Sequence, residues 1–435
     1  MDAKFLPVQP ISIQPVRISA IALVTAMTLG LVIAATPVAG AQNFRVIHNF
    51  TDGLDGGLPF AGLTIDAAGN LYGTTPSGGI VTGQCSPHGC GGVYKLKAAG
   101  SGFVLTPLYN FAAGSDGNFP QSRVTIGPDG NLYGTTVTGG GEGSCFYSGS
   151  GCGTVFQLKA SATVPKSALA PLEETVLYRF TGGNDGGQPQ GNVVFDQSGN
   201  IYGVTYQGGT TNAGVIYQLS PSGGGWTETV LYSAQNNGDG ANPVFLTIGR
   251  SGSLYGVFNN GGTYGFGAIF QLSHSASGWT EQTLHSFTGG EGGESPVSLI
   301  IDAAGNLYGM TYSGGNFGGG TVFALTSSNG SYLFRTVYSL GHEDEGCNPQ
   351  NALVMDAVGN LYGTASQCGE YNWGAVFKLS LAGVPTYTSL HDFTFEASDG
   401  NNPTSNLVFD ARGSVYGTAQ FGGSSDVGVV FEITP

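Results

Sequence analysis

Basic side chains are scarce in this chain: 13 Lys and Arg stand against 28 Asp and Glu, a formal net charge of −15. That balance argues against nucleic acid and anionic lipid as partners, because both are held by a basic face. Charge of either sign is thin, at 9% of residues where ordinary globular domains carry roughly 25%. No segment carries a convincing helical period of apolar residues, which leaves short strands as the main element. There is no Cys-x-x-Cys pair to support zinc, no His-x-x-x-His, no Gly-x-Ser-x-Gly, and no glycine loop followed by Gly-Lys-Ser/Thr. The familiar metal, nucleophile and phosphate signatures are all missing.

What is present begins with an address. Lys4 and Arg17 precede an uncharged apolar run over residues 18–35, then Pro37 and the small triplet Ala39-Gly40-Ala41. A basic start, an apolar run and an Ala-x-Ala-like site describe a secretory signal, with cleavage expected after Ala41. The rival is an uncleaved anchor, since eighteen apolar residues just span a bilayer. Cleavage removes Asp2, Lys4 and Arg17, leaving a mature chain over residues 42–435 with a charge of −16. An exported chain with an even six cysteines is expected to carry disulfides.

Glycine is abundant, 76 of 435 residues, without a collagen period, while aromatic content stays at 11%. A repeat explains the mixture. The segment Asn70-Leu71-Tyr72-Gly73-Thr74-Thr75 returns unchanged at residues 131–136, and in variant form around Tyr202, Tyr255, Tyr308, Tyr362 and Tyr416. Successive tyrosines from Tyr72 through Tyr133 to Tyr416 lie 61, 69, 53, 53, 54 and 54 residues apart. Each unit splits into four strand signals; in the fifth copy they are residues 297–302, 306–312, 321–326 and 332–340. Four strands at a period near fifty is the pattern of a propeller blade. The last copy stops at its third strand, residues 429–433, and the missing fourth is found at residues 44–50, which resemble the strand at Leu284-His285-Ser286-Phe287. The expected fold is therefore an all-β, seven-bladed propeller of four-stranded antiparallel blades, closed by the N-terminal strand so that no sheet edge is left open.

The Asn-Leu-Tyr-Gly-Thr-Thr motif, a Gly-Gly pair and a Gly-Thr-Val-Phe-x-Leu segment (Gly153 to Leu158; residues 318–325 carry the same half) resemble the bacterial GloVer-type tandem repeat, the Gloeobacter–Verrucomicrobia repeat. Departures are small: Val257-Phe258 replaces Thr-Thr, and Ser253 and Ser414 replace Asn. The resemblance implies an exported protein with no established enzymatic activity. Some relatives carry a C-terminal sorting anchor, and none is expected after Pro435.

Within a meander blade, strands a to d run from the axis outward. The d–a and b–c loops then share one face, and the a–b and c–d turns the other. The d–a loops repeat an Asp-Gly-x-x-Pro element with carboxylates Asp55, Asp116, Asp185, Asp239 and Asp399; Glu291 and Glu345 take the place in copies five and six. Seven carboxylates are thus expected to ring one mouth of the channel. Asp-Gly turns and strand-entry prolines explain the element without any ligand. Calcium is conceivable there, although no Asp-x-Asp-x-Asp-Gly spacing occurs. The tyrosines of strand b, and His48, His285 and His391, which alternate with Tyr109, Tyr178, Tyr232 and Tyr338 at one strand-d position, read as packing. His88, His274 and His342 are isolated. Local pairing and the shared face predict bridges Cys85–Cys90, Cys145–Cys152 and Cys347–Cys368. A spacer rich in Ala, Ser, Pro and Lys, residues 160–173, is expected to be a loop on the opposite face.

The expectation is a secreted, periplasmic or cell-surface propeller, monomeric and without a required cofactor, that binds a polysaccharide or another surface protein. The binding face carries the acidic ring and the aromatics Phe146-Tyr147, Phe317, Tyr371 and Trp373, because rings stack on sugars and carboxylates accept their hydroxyls. The alternative is a carbohydrate-active hydrolase or lyase using two of the acidic residues.

Overall fold

The computed structural model describes residues 42–141, 143, 145, 151–160, 172–328, 330–396 and 398–435. The expected export signal, Phe146-Tyr147 and most of the 160–173 spacer lie outside the described residues. Seven four-stranded antiparallel sheets follow one another along the chain, each in the order a-b-c-d. In blade 5 the strands are Glu294–Ile301, Leu307–Ser313, Thr321–Ser328 and Ser331–Ser339. Blades 4 and 5 have long a strands, whereas the other five keep only two paired residues there, as at Thr64–Ile65. The cause is one residue of spacing. Pro243 stands three places before the fully buried Leu246 of strand a, but Pro59 stands four before the equivalent Leu63, and the extra residue interrupts the ladder.

The repeated glycine of strand b has a steric reason. It pairs directly with the aromatic residue of strand c, as in Gly203↔Tyr217 and Gly134↔Phe156. The ring lies over the glycine, so a Cβ on Gly203 would fall 2.3 Å from the Tyr217 hydroxyl. The same pairing recurs at Gly73, Gly256, Gly309, Gly363 and Gly417. Phe156, Phe270, Phe323, Phe377 and Phe431 are completely buried in consequence. Each contributes roughly 1.5–3 kcal/mol of burial. A larger residue at any of these glycines would eject the ring that fills the space between blades.

Strand d carries a β-bulge at one fixed place in every blade, opposite the Val-Phe of strand c: at Leu108, Leu177, Leu231, Leu284, Val337 and Leu390 in blades 1 to 6. The N-terminal strand, Asn43–Asn49, pairs with Val429–Thr434 and has its bulge at Ile47. It therefore occupies the d position of blade 7 in sequence, register and irregularity alike. The seam it closes is packed like the others: Phe50, Val430 and Tyr416 of blade 7 lie against Leu63, Leu71 and Tyr94 of blade 1.

Candidate functional site

The d–a elements fasten blade to blade. The residue before each entrance proline has a left-handed backbone in all seven copies: Leu58, Phe119, Gln188, Asn242, Ser295, Asn348 and Asn402 have φ between 54° and 67°. Its N–H thereby turns to the b–c loop of the preceding blade. Examples are Gln188 to the Cys152 carbonyl at 2.8 Å and Asn242 to that of Ala213 at 2.7 Å. The ring-closing copy is Leu58 to the Val427 carbonyl, 2.7 Å. The proline then lies on a b–c glycine with positive φ, as Pro243 does on Gly214. Pairing of d–a with b–c loops, as in Gly346–Cys347 with Gln367–Cys368, puts both on one face. The Cys347–Cys368 bridge crosses that pairing, and Cys85–Cys90 and Cys145–Cys152 are also joined. Bridges of this kind belong to an oxidising, extracellular or periplasmic compartment. Among the described residues no helix is long and apolar enough to cross a membrane.

The seven carboxylates take a different place from the one expected. Six turn back onto the outermost strand instead of pointing at the channel. Tyr109 donates its hydroxyl to Asp116 at 3.0 Å, Tyr178 to Asp185 at 3.2 Å and Tyr232 to Asp239 at 2.6 Å. Tyr338 bonds Glu345, while His48 lies 3.2 Å from Asp55 and His391 3.1 Å from Asp399. Most of these carboxylates also accept loop amides, such as Thr181 N–H at 2.8 Å onto Asp185. The reason is the short reach of the loop: the carboxylate follows the aromatic by only seven or eight residues and satisfies the turn's own donors. Glu291 is the exception: it is exposed, and among the described residues its carboxylate forms no hydrogen bond to His285. Burial lowers the His285 pKa to about 4. The a–b turns use the same device on the opposite face: Asp196 accepts Ser198 and Asn200 amides, the Asn200 side chain and the Tyr202 hydroxyl. Those bonds outweigh burial and hold Asp196 below the ordinary carboxylate range.

At the rim, residues of one d strand meet the aromatic–carboxylate pair of the preceding blade. Glu174 and Glu228 stand there, beside Asp116 and Asp185; burial first and the neighbouring carboxylate second push both up to about 7. Glu281 beside Asp239 is raised for the same reasons. The arrangement recurs at three successive junctions, and none of these residues lines either cavity of the channel. It is a feature of the repeat rather than one unique acid–base pair.

Exposed rings are distributed unevenly. Among the described residues the exposed large aromatics are Phe119, Tyr264, Phe266, Phe317, Tyr371, Trp373 and Phe395. Every one belongs to a d–a or b–c loop. The b–c loops of blades 4 to 6 supply five of them, and Trp373 lies 4.8 Å from Phe395, ring to ring. Among the described residues the a–b turns of the opposite face expose the aliphatic Val358 but no large ring.

At the axis, all seven blades line a cavity of about 440 Å³ on the d–a side. Its polar wall is made of amides, including Gln121, Gln190, Asn192, Gln350 and Asn406, together with Arg123. A second cavity of about 520 Å³ shares Arg123, Asn192, Phe245 and Asn406 with the first and is otherwise largely aliphatic.

The profile of the Gloeobacter/Verrucomicrobia repeat matches residues 147–346 and again 277–435, together more than half of the chain. The chain belongs to this repeat family. Among solved structures, the extracellular domain of a candidate one-component system from B. thetaiotaomicron shares the fold with TM-score 0.52 and 14% identity, over 90% of this chain and 41% of that one. A gluconolactonase from Xanthomonas campestris aligns at 15% identity and TM-score 0.42, over 82% of this chain and 98% of that one. At 14% identity the first of these likenesses is one of fold alone. No curated protein sequence matches the chain.

Within this Gloeobacter/Verrucomicrobia repeat, Arg123 is the residue that sequence reasoning passed over. A signal existed. The residue just before the fully buried apolar position of strand a (Leu63, Val124, Val193, Leu246, Leu299, Leu353 and Leu407) is Gly62, Arg123, Asn192, Phe245, Ser298, Ala352 and Asn406 in the seven copies. Only the second copy places a charge there.

Proposed function

We propose that this protein is an exported, non-enzymatic binding propeller whose ligand is a neutral polysaccharide docked on the d–a/b–c face. One observation carries the reading: all the exposed large aromatics of the described residues stand on that face, five of them on the b–c loops of blades 4 to 6. Ring faces held in water by rigid tight turns offer stacking area at little entropic cost. The loops that present them are pinned by the blade-to-blade amide bonds and, beside Tyr371 and Trp373, by the Cys347–Cys368 bridge. Of the residues first considered for the ligand, Tyr371 and Trp373 keep that role. Asp55, Asp116, Asp185, Asp239, Glu345 and Asp399 hold the loops in shape, and Glu291 remains free to meet a sugar hydroxyl.

The test is a glycan array on the purified protein, followed by the Tyr371→Ala/Trp373→Ala variant on whichever glycans bind. Binding to neutral glycans that the variant loses supports the reading. Failure to bind any glycan, or equal loss from Val358→Ser on the opposite face, defeats it.

A further inference from the structure

The channel carries a second, separate site. Among the described residues, Arg123 is the one basic side chain lining the axial cavities, where the seven blades converge. Arg123 lines both cavities, and neither is lined by an Asp or Glu. The ion pairs among the described residues involve Arg45, Arg412 and histidines; Arg123 has none. Burial within the channel lowers its pKa from the ordinary arginine value, the mark of a cation short of compensation. Arg123 is half-buried by its accessible surface, and a partly desolvated, unpaired guanidinium is costly unless an anion meets it. Among the described residues no carboxylate is brought to this wall.

The surroundings define what that anion looks like. Asn406 is buried and lines both cavities; its side-chain N–H groups donate to the Leu63 and Leu407 carbonyls, at 3.4 and 3.2 Å, and its Oδ1 has no hydrogen-bond partner. Gly62 leaves room for that amide, since a Cβ there would fall 1.8 Å from Asn406 Oδ1. Gln121, Gln190, Asn192 and Gln350 add further amides, each able to donate and accept. One guanidinium matches one carboxylate through two parallel N–H···O bonds. A single cation without a second beside it favours a monoanion over a phosphate dianion. A wall of amides serves hydroxyl groups, and about 440 Å³ suits a small molecule. We propose that the channel binds a small polyhydroxylated monocarboxylate, a sugar acid in chemical class, with Arg123 clamping the carboxylate and the amides of Gln190 and Asn192 meeting its hydroxyls.

The experiment uses the whole mature protein with D-galacturonate and D-glucuronate as probes, and D-glucose and inorganic phosphate as controls. Isothermal titration should show at least one uronate binding, with glucose and phosphate at least tenfold weaker. Arg123→Gln should weaken the uronate tenfold or more, while its own melting temperature without ligand rises, because the uncompensated charge is gone. Arg123→Lys, which keeps the charge but not the fork, should fall between. Glycan binding by the aromatic face should be the same in Arg123→Gln as in the parent, so the two sites fail independently. No uronate binding, tighter binding of phosphate, or affinity unchanged by Arg123→Gln would each overturn the assignment.

Discussion

Two arcs of the rim solve one packing problem in opposite ways. At the strand-d position that meets the preceding blade, blades 2 to 4 place Glu174, Glu228 and Glu281, and blades 5 to 7 place Phe334, Tyr387 and Phe44. The aromatic arc stacks: Phe334 lies 3.7 Å from the His285 ring and Phe44 3.5 Å from that of His391. The acidic arc sets a half-buried carboxylate beside another carboxylate. The backbone is the same in both, so the difference is purely one of side-chain chemistry. The aromatic arc supplies adhesion at any pH, while the acidic arc is favoured by protonation of its glutamates. The exposed rings of the b–c loops in blades 4 to 6 overlap the aromatic arc, so the half that packs most firmly also presents the proposed sugar face.

The strongest way to break the comparison is to remove its last member with its strand. Phe44 belongs to Asn43–Asn49, which supplies the d strand of blade 7 and half of the closing seam. Deleting residues 43–49 should abolish cooperative unfolding or lower the melting temperature by tens of degrees, because an entire blade edge opens to water. A truncated protein that melts with the parent would show that closure contributes little.

The pH dependence of the two arcs should differ in sign. Glu174 and Glu228 rise from 4.5 to about 7 on folding, so the folded state binds protons more tightly there. Their contribution is complete below about pH 4.5 and is lost as pH rises through 7. Screening at these half-exposed sites reduces it to about 1 kcal/mol each. Glu174→Gln and Glu228→Gln should raise stability at pH 8 by that amount and change nothing at pH 4.5, as denaturant titrations at the two pH values can check. His285 runs the other way. Its pKa falls from 6.5 to about 4, so its contribution is complete above pH 6.5 and is lost as pH falls through 4. His285→Phe should remove about 1 kcal/mol of acid sensitivity, again discounted for partial exposure. If the acid limb of the stability profile is unchanged in that variant, another group controls it.

The fold was legible because one repeat states it seven times. The Asn-Leu-Tyr-Gly motif names strand b, its glycine and the Val-Phe of strand c are two halves of one contact, and the permuted strand at residues 43–49 announces closure. The d–a carboxylates were located on the right face but aimed the wrong way, since a sequence shows that Asp185 follows Tyr178 by seven residues without showing that the turn folds one onto the other. Arg123 was invisible for a related reason. Its meaning comes from what does not face it across the axis, and residues from seven blades meet there at separations of fifty to three hundred and fifty positions.

The smallest expected change in stability belongs to the largest expected change in binding. Tyr371 and Trp373 are 48% and 38% exposed, so removing their rings takes little apolar surface out of the core. The backbone around them is set elsewhere, by Asn402 N–H on the Trp373 carbonyl at 3.0 Å, by Pro403 on Gly374 and by the Cys347–Cys368 bridge. None of these needs a ring. The Tyr371→Ala/Trp373→Ala protein should melt within a few degrees of the parent, in keeping with surface changes of about 0.5 kcal/mol each. Its affinity for a neutral glycan should nonetheless fall at least tenfold, because each stacked ring on a sugar face is worth of order 1 kcal/mol or more. Truncating Phe103 in the acidic arc's neighbour, where the ring is half-buried against Tyr416, should do the reverse: a loss of stability with glycan affinity intact. Calorimetry and glycan binding on the two variants would separate rings that hold the propeller from rings that work for it. Parallel losses in both measurements would mean that the exposed rings are only the outermost layer of the core.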